Sequence, residues 1–316
     1  MSDRIGAFLK ASSQLEATDP EAFLEELNDV MDVRSHEARH VRARLLQREI
    51  ARLSRLLALV DLRDPLYFID GTCFVEVEGV RLETISNAYH LRGNGQRASA
   101  ARKLISTLGK MGVAVANIVD VGANYGEITL PLSRHYPGAR IVAVEPGPDN
   151  IEVLQRNIAA QSFDTGNIQL VREAISSESG HAHFLQGRST QNRIADPAEP
   201  NSVRVKTSTL AEVVDRCCDG EVALIKIDIE GHEPALAASV VQLGARVWSY
   251  FVEFTVDVDR LGYMNLFDAF ASGGFSCRDE HSLAPLTRSA AEDHMERVKS
   301  AGRRTLNFWF IRGDRA

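Results

Sequence analysis

The 316-residue chain lacks any uninterrupted apolar run approaching the roughly 18–20 residues of a membrane span, so no transmembrane segment is expected. Its opening, MSDRIGAFLKASSQLE, carries acids and has no apolar centre, unlike a secretion signal. Cysteine is scarce. The four, at positions 73, 217, 218 and 277, show no metal-site spacing, and the adjacent pair Cys217 and Cys218 is badly placed to bridge itself. A chain without a disulfide framework reads as soluble, reduced and cytoplasmic. Basic residues are outnumbered, 36 Lys and Arg against 43 Asp and Glu, which argues against wholesale nucleic-acid binding. No internal repeat or low-complexity tract is present. What remains is an ordinary globular composition, 44% hydrophobic and 25% charged, at a length that fits one large α/β domain with an appendage.

Residues 1 to about 62 read as helical. Asp19-Pro20 opens one helix, with Phe23, Leu24, Leu27 and Val30 at its spacing. A longer one is expected from about Ser35 to Val60, where Val41, Leu45, Leu46, Ile50, Leu53 and Leu57 form a stripe among arginines. Such a stripe suits packing on its own domain or in a homodimer, with membrane-surface or nucleic-acid contact through the arginines as the lesser alternative. Within it, His36-Glu37-Ala38-Arg39-His40 matches the zinc-hydrolase pattern H-E-x-x-H. Neither usual third ligand follows, a G-x-x-H histidine or a downstream glutamate, with only Asp61 and Asp64 at that distance, and the surrounding arginines oppose a dication. Residues 72–85 alternate around Glu78-Gly79 as a β-hairpin would, Gly93-Asn94-Gly95 reads as a loop, and Ala98 to Met111 as a helix. The expected division is a helical and hairpin extension over 1–96 and a main domain over 97–316.

The densest signal runs from Asn117 to Asn150. Ile118-Val119-Asp120-Val121-Gly122 is an apolar run leaving a buried parallel strand through a glycine turn. A helical pattern follows Gly126 until Pro137-Gly138, and a second strand, Arg140 to Val144, ends in Glu145. A glycine turn admits a ligand close to backbone, and an acid at the tip of the second strand accepts hydrogen bonds from a ribose diol. The pattern is D-x-G-x-x-x-G rather than the dinucleotide G-x-G-x-x-G, with Asn124 where the second glycine would stand. Asp120 would repel a pyrophosphate but suits a cation such as S-adenosylmethionine (SAM).

Further strands are expected at 168–171, 203–206, 222–227, 247–254, 275–278 and 305–311, the last closing the sheet, with helices at 209–216 and 265–272. Residues 176–202 read as a hairpin and loop over the strand ends. Glu221 to Leu236 is the second dense stretch: a buried strand ends in Asp228-Ile229-Glu230-Gly231-His232-Glu233, and Pro234 starts a helix. Asp228, Glu230 and His232 at a strand's carboxyl end point to function, because ligands of open α/β sheets bind there. Glu233 reads as a helix N-terminal charge on a solvated loop.

DVGANYG at 120–126, VEPGPDN at 144–150 and KIDIEGHE at 226–233 together resemble the FkbM family of SAM-dependent methyltransferases, over about residues 97–312. The resemblance implies an α/β, class I (Rossmann-like) fold with a seven-stranded, mostly parallel sheet. It implies O-methylation of a hydroxyl on a small-molecule or glycan acceptor, such as a sugar or polyketide. Asp120, Gly122, Ala123, Asn124 and Gly126 would line the methionine end of SAM, Glu145 would bind the ribose, and Asn150 or Glu173 would lie near ribose or adenine. An alcohol is a poor nucleophile, so a general base is expected, with His232 the first choice. Asp228 and Glu230 are then left to orient it, to act as base themselves, or to hold a divalent cation. Three other readings are a non-catalytic methyltransferase-like module, a nicotinamide dehydrogenase and a zinc hydrolase through His36 and His40. Intact Asp120, Glu145 and Asp228 count against the first, the missing glycine against the second, and the missing ligand against the third.

Overall fold

The computed structural model describes residues 66–69, 72–84, 88–185, 193–196, 199, 201–256 and 258–313. The helices expected over 1–62, with His36 and His40, lie outside them. The chain divides into two compact units, residues 1–62 with 68–71 and residues 63–67 with 72–316, and the second carries both larger sheets. Among the described residues no helix is long and apolar enough to cross a membrane.

After a strand at Leu66–Ile69 (β1), Thr72–Val77 (β2) and Val80–Thr84 (β3) form the expected hairpin about Glu78-Gly79. Its buried Val75, Val77, Val80 and Leu82 pack in one apolar cluster with Leu104, Ile118 and Trp309. The hairpin therefore shares the core of the second unit, whereas it reads from sequence as part of an extension. The helix α1 spans Ala88–Met111 and runs straight through Gly93-Asn94-Gly95, where a loop is expected. Two helical glycines cost about 1 kcal/mol each against alanine. Burial of Leu104 and Leu108 on the same helix outweighs that.

The main sheet contains Asn117–Val121 (β4), Arg140–Val144 (β5), Ile168–Val171 (β6), Leu224–Ile227 (β11), Ser249–Thr255 (β12), Phe275–Asp279 (β13) and Thr305–Arg312 (β14). Its order is β13-β14-β12-β11-β4-β5-β6. The five strands from β12 to β6 pair in parallel, and β14 lies antiparallel to both β12 and β13. β14 thus sits one strand in from the edge, not at the edge. The reason is composition: Phe308, Trp309, Phe310 and Ile311 are all buried, so both faces need cover, while half-exposed β13 tolerates an edge. Helices Thr129–His135 (α2), Pro148–Ala159 (α3), Leu210–Cys217 (α4), Ala237–Leu243 (α5), Arg260–Ser272 (α6) and Arg288–Ser300 (α7) complete the unit. α7 is not expected from the sequence pattern, because only Ala291, Met295 and Val298 are buried in an otherwise polar segment.

Between β6 and α4 the chain builds a second sheet from Ala174–Ile175 (β7), Gly180–Leu185 (β8), Arg193–Ala195 (β9) and Ser202–Ser208 (β10), ordered β7-β10-β8-β9. The hairpin expected within 176–202 is β8–β9. Thr209 and Glu212 then form a capping box on α4.

Candidate active site

The strand order reverses between β4 and β11, and the carboxyl ends of those two strands open the crevice in which ligands of such sheets bind. The turn after β4 is fixed by backbone: the N–H groups of Gly122 and Ala123 both donate to Val144 O, at 3.0 Å. Gly122 has φ +78°, and a Cβ there would stand 1.9 Å from the carbonyl oxygen of Asp228. Only glycine lets the ends of β4 and β11 close this tightly. Asn124 also takes a left-handed φ, +51°, which asparagine tolerates. That conformation aims its N–H at Glu145.

Glu145, at the end of β5, is nearly fully buried. Its Oε2 accepts from Asn124 N at 2.9 Å, and its Oε1 from Gly147 N at 2.8 Å and Asn150 Nδ2 at 3.4 Å. Burial pushes its pKa up to about 7 despite those bonds. Asn150 Oδ1 and Asn124 Oδ1 are buried without a protein hydrogen-bond partner. Two buried acceptors beside an acid are places for a ligand's donors.

Asp120 does not face this crevice. It is fully buried, accepts from Thr129 Oγ1 at 2.6 Å, and lies 3.3 Å from Lys226 Nζ. Lys226 also donates to Gly122 O at 2.9 Å and lies 3.7 Å from Asp228. Burial works against its charge, but Asp120, Asp228 and Glu127 outweigh that and raise its pKa. The aspartate that reads as a ligand contact is thus the counter-ion of a lysine that braces the turn. Alternation along β11 puts Lys226 beside its partner Asp120, and that ladder position is the signal that could have found it.

The loop after β11 is held from within. Glu233 is fully buried, not solvated: it accepts from Ile229 N at 2.8 Å, from Gly231 N at 3.0 Å and from the Tyr263 hydroxyl. Burial pushes its pKa to about 7. Left-handed φ at Glu230 (+54°) and Gly231 (+101°) turns the chain so that Asp228, Glu230 and His232 point to one side. His232 Nε2 is 3.0 Å from Ser176 Oγ, and burial lowers the histidine pKa. Glu253, near the end of β12, joins this group, although it is not among the expected site residues. Its carboxylate, with those of Asp228 and Glu230, offers oxygens within 4.8 Å of one another. Burial and then the charges of Asp228 and Glu230 push the Glu253 pKa well up.

An open cavity runs between these groups. Its wall includes Gly122, Asn124, Glu145, Asn150, Glu173, Asp228, Glu230 and His232, so eight of the eleven expected site residues meet there. Asp120, Ala123 and Gly126 shape the turn from behind. Glu173 lines the wall with its oxygens committed to Lys206 at 2.8 Å, Ser208 at 2.6 Å and Arg216. Burial opposes its ionisation, yet those three bonds hold its pKa at about 2. Phe184 and Ile194 of the second sheet line the same cavity.

Residues 120–255 match the methyltransferase FkbM domain, which contains all three blocks that carry the sequence resemblance. The chain is 41% identical over 148 residues to methyltransferase sdnD of Sordaria araneosa, covering 37% of this chain and 57% of that one. It is 29% identical over 143 residues to the hexuronic acid methyltransferase AglP of Haloferax volcanii, covering 44% and 56%. It is 32% identical over 139 residues to methyltransferase 1 of Beauveria bassiana, covering 37% and 55%. The chain thus spans little more than half the length of these relatives.

Proposed function

We propose that this chain, which carries an FkbM methyltransferase domain over residues 120–255, is a class I, SAM-dependent O-methyltransferase. One observation carries the reading: Glu145, held by the N–H groups of Asn124 and Gly147, opens on the same cavity as Asp228, Glu230 and His232. The residues fit SAM. Glu145 accepts from a ribose diol, the unpaired Asn124 and Asn150 oxygens accept further donors, and Asp228 and Glu230 favour a cation. A dinucleotide's pyrophosphate would meet the same acids with repulsion.

When bound, SAM supplies a methyl group already activated on a positive sulfur. The protein's part is placement of the acceptor oxygen in line with it, and removal of the hydroxyl proton. His232 takes that proton. Burial keeps its imidazole neutral, and when its Nε2–H donates to Ser176, the Nδ1 lone pair is the free acceptor. Asp228 and Glu230 line the same wall and favour the positive charge of the cofactor.

The acceptor is a hydroxyl on a sugar, glycan or polyketide-type small molecule, a class supported by the hexuronic acid named as substrate of the AglP relative. The N-terminal helices expected over 1–62 serve as a dimer contact or an acceptor-binding lobe. Calorimetric titration with SAM, S-adenosylhomocysteine and NAD tests the cofactor: binding of the first two and not the third is expected. Failure of the folded protein to bind either adenosyl ligand would overturn the assignment. His232→Ala should then lower kcat about 10²- to 10⁴-fold with SAM affinity unchanged. A second reading rests on the approach of Asp228, Glu230 and Glu253, whose oxygens could take a hard dication in place of the histidine's role. Activity abolished by EDTA and restored by Mg²⁺ would favour it; Lys226, 3.7 Å from Asp228, already competes for that charge.

A further inference from the structure

We propose that the cross-strand pair Phe184 and Ile194 on the second sheet seats the adenine base, so that the β8–β9 hairpin sets cofactor affinity and not acceptor choice. The inference rests on the methyl-transfer reading and assigns it a residue-level boundary. The cavity has two chemically different halves. Asp228 and Glu230 make one end charged, with the neutral His232 beside them, while Ala174, Ile175, Phe184 and Ile194 make the other apolar. SAM has the same division, a cationic amino-acid arm and a flat base with apolar faces.

The join between the halves is Glu145. A Cβ on Gly147 would stand 2.9 Å from Glu145 Oε1 and 3.1 Å from Phe184 Cε1, so ring and acid meet across a glycine. If Glu145 holds the ribose, the base attached to that ribose lies against the ring. The register fixes this geometry. Phe184 pairs with Ile194 on one side and with Val203 on the other, so the three form one row on one face. Ala174 and Val205 back the ring in a small core of their own.

Glu173 is the charged group at the apolar end, and it is not offered to a ligand. Lys206 and Ser208 of β10 and Arg216 of α4 occupy both of its oxygens. It rivets the second sheet to the end of β6 and leaves the base an apolar wall. The buried, unpartnered Asn150 Oδ1 on the same cavity is an acceptor for a nucleoside donor. The acceptor hydroxyl, by contrast, must reach the Asp228 and His232 end.

The test is calorimetric titration of the full-length protein and its Phe184→Ala, Phe184→Tyr and Ile194→Ala variants with S-adenosylhomocysteine and with methylthioadenosine, which lacks the amino-acid arm. Phe184→Ala should weaken both ligands by the same factor, about 5- to 150-fold, and Phe184→Tyr should restore them. If Phe184→Ala does not fold, half-buried Ile194→Ala reads the same wall with a smaller parallel loss of about 3- to 10-fold. Unchanged affinity for both ligands in a folded variant overturns the proposal. So does a loss confined to S-adenosylhomocysteine, which would put the ring at the amino-acid end. Wild-type protein that binds neither ligand removes the methyl-transfer reading itself, a result distinct from a failure at Phe184 alone.

Discussion

Replacing Lys226 with methionine keeps the chain length and removes one charge from a buried group of known composition. Asp120 is fully buried and Lys226 nearly so, with 3.3 Å between Nζ and the carboxylate. Removing one partner of such a pair leaves the other charge uncompensated, at a cost of about 3–5 kcal/mol. The same change deprives Gly122 O of its 2.9 Å donor, within that range, while the bond from Thr129 to Asp120 survives. At about 2–4 °C per kcal/mol for a domain of this size, the melting temperature should fall by roughly 6–20 °C. Urea denaturation followed by circular dichroism measures the loss directly. The double variant Lys226→Met/Asp120→Asn should recover at least half of it, because the asparagine is neutral and still accepts from Thr129. A single variant that loses less than about 1 kcal/mol, or a double variant no more stable than the single, would refute the pairing as what braces this turn.

Gly122→Ala should destabilise by at least about 2 kcal/mol and abolish SAM binding, since its Cβ collides with Asp228 O and φ is left-handed; thermal melts with and without SAM read both effects. Glu145 and Glu233 each have a folded-state pKa of about 7, above the ordinary carboxylate value. The folded state therefore binds more protons than the unfolded one in that window. Their contribution to stability is present below the ordinary carboxylate pKa and is lost as pH rises to about 7. Ligand-free protein should show this fall in urea midpoint, and Glu145→Gln should flatten it. SAM affinity should move the opposite way, rising with pH toward about 7 as Glu145 ionises and becomes a better acceptor for the ribose.

Much of the fold was legible because it is written in short-range pattern. β5 and β6 have the expected bounds, and the strand–glycine–helix passage and the acid at Glu145 are local features. Where expectation and structure part, a distant partner outweighed a local preference. Gly93 and Gly95 sit in a helix because Leu104 and Leu108 dock its far end. Glu233 is buried because Tyr263, thirty residues on, supplies a donor beside two backbone amides.

Local sequence was enough for the strand-and-helix alternation, the glycine turn, and the placing of Glu145, Asp228, Glu230 and His232 at strand ends. Those follow from periodicity and backbone conformation, which neighbouring residues set. What each acid faces is a matter of tertiary packing. Asp120 turns to Lys226 because β4 and β11 are ladder partners, Glu173 is taken by β10 and α4, and Glu253 arrives beside Asp228 because β12 lies next to β11. A carboxylate's partner depends on which strands are adjacent, and adjacency belongs to sheet order rather than to any stretch of chain.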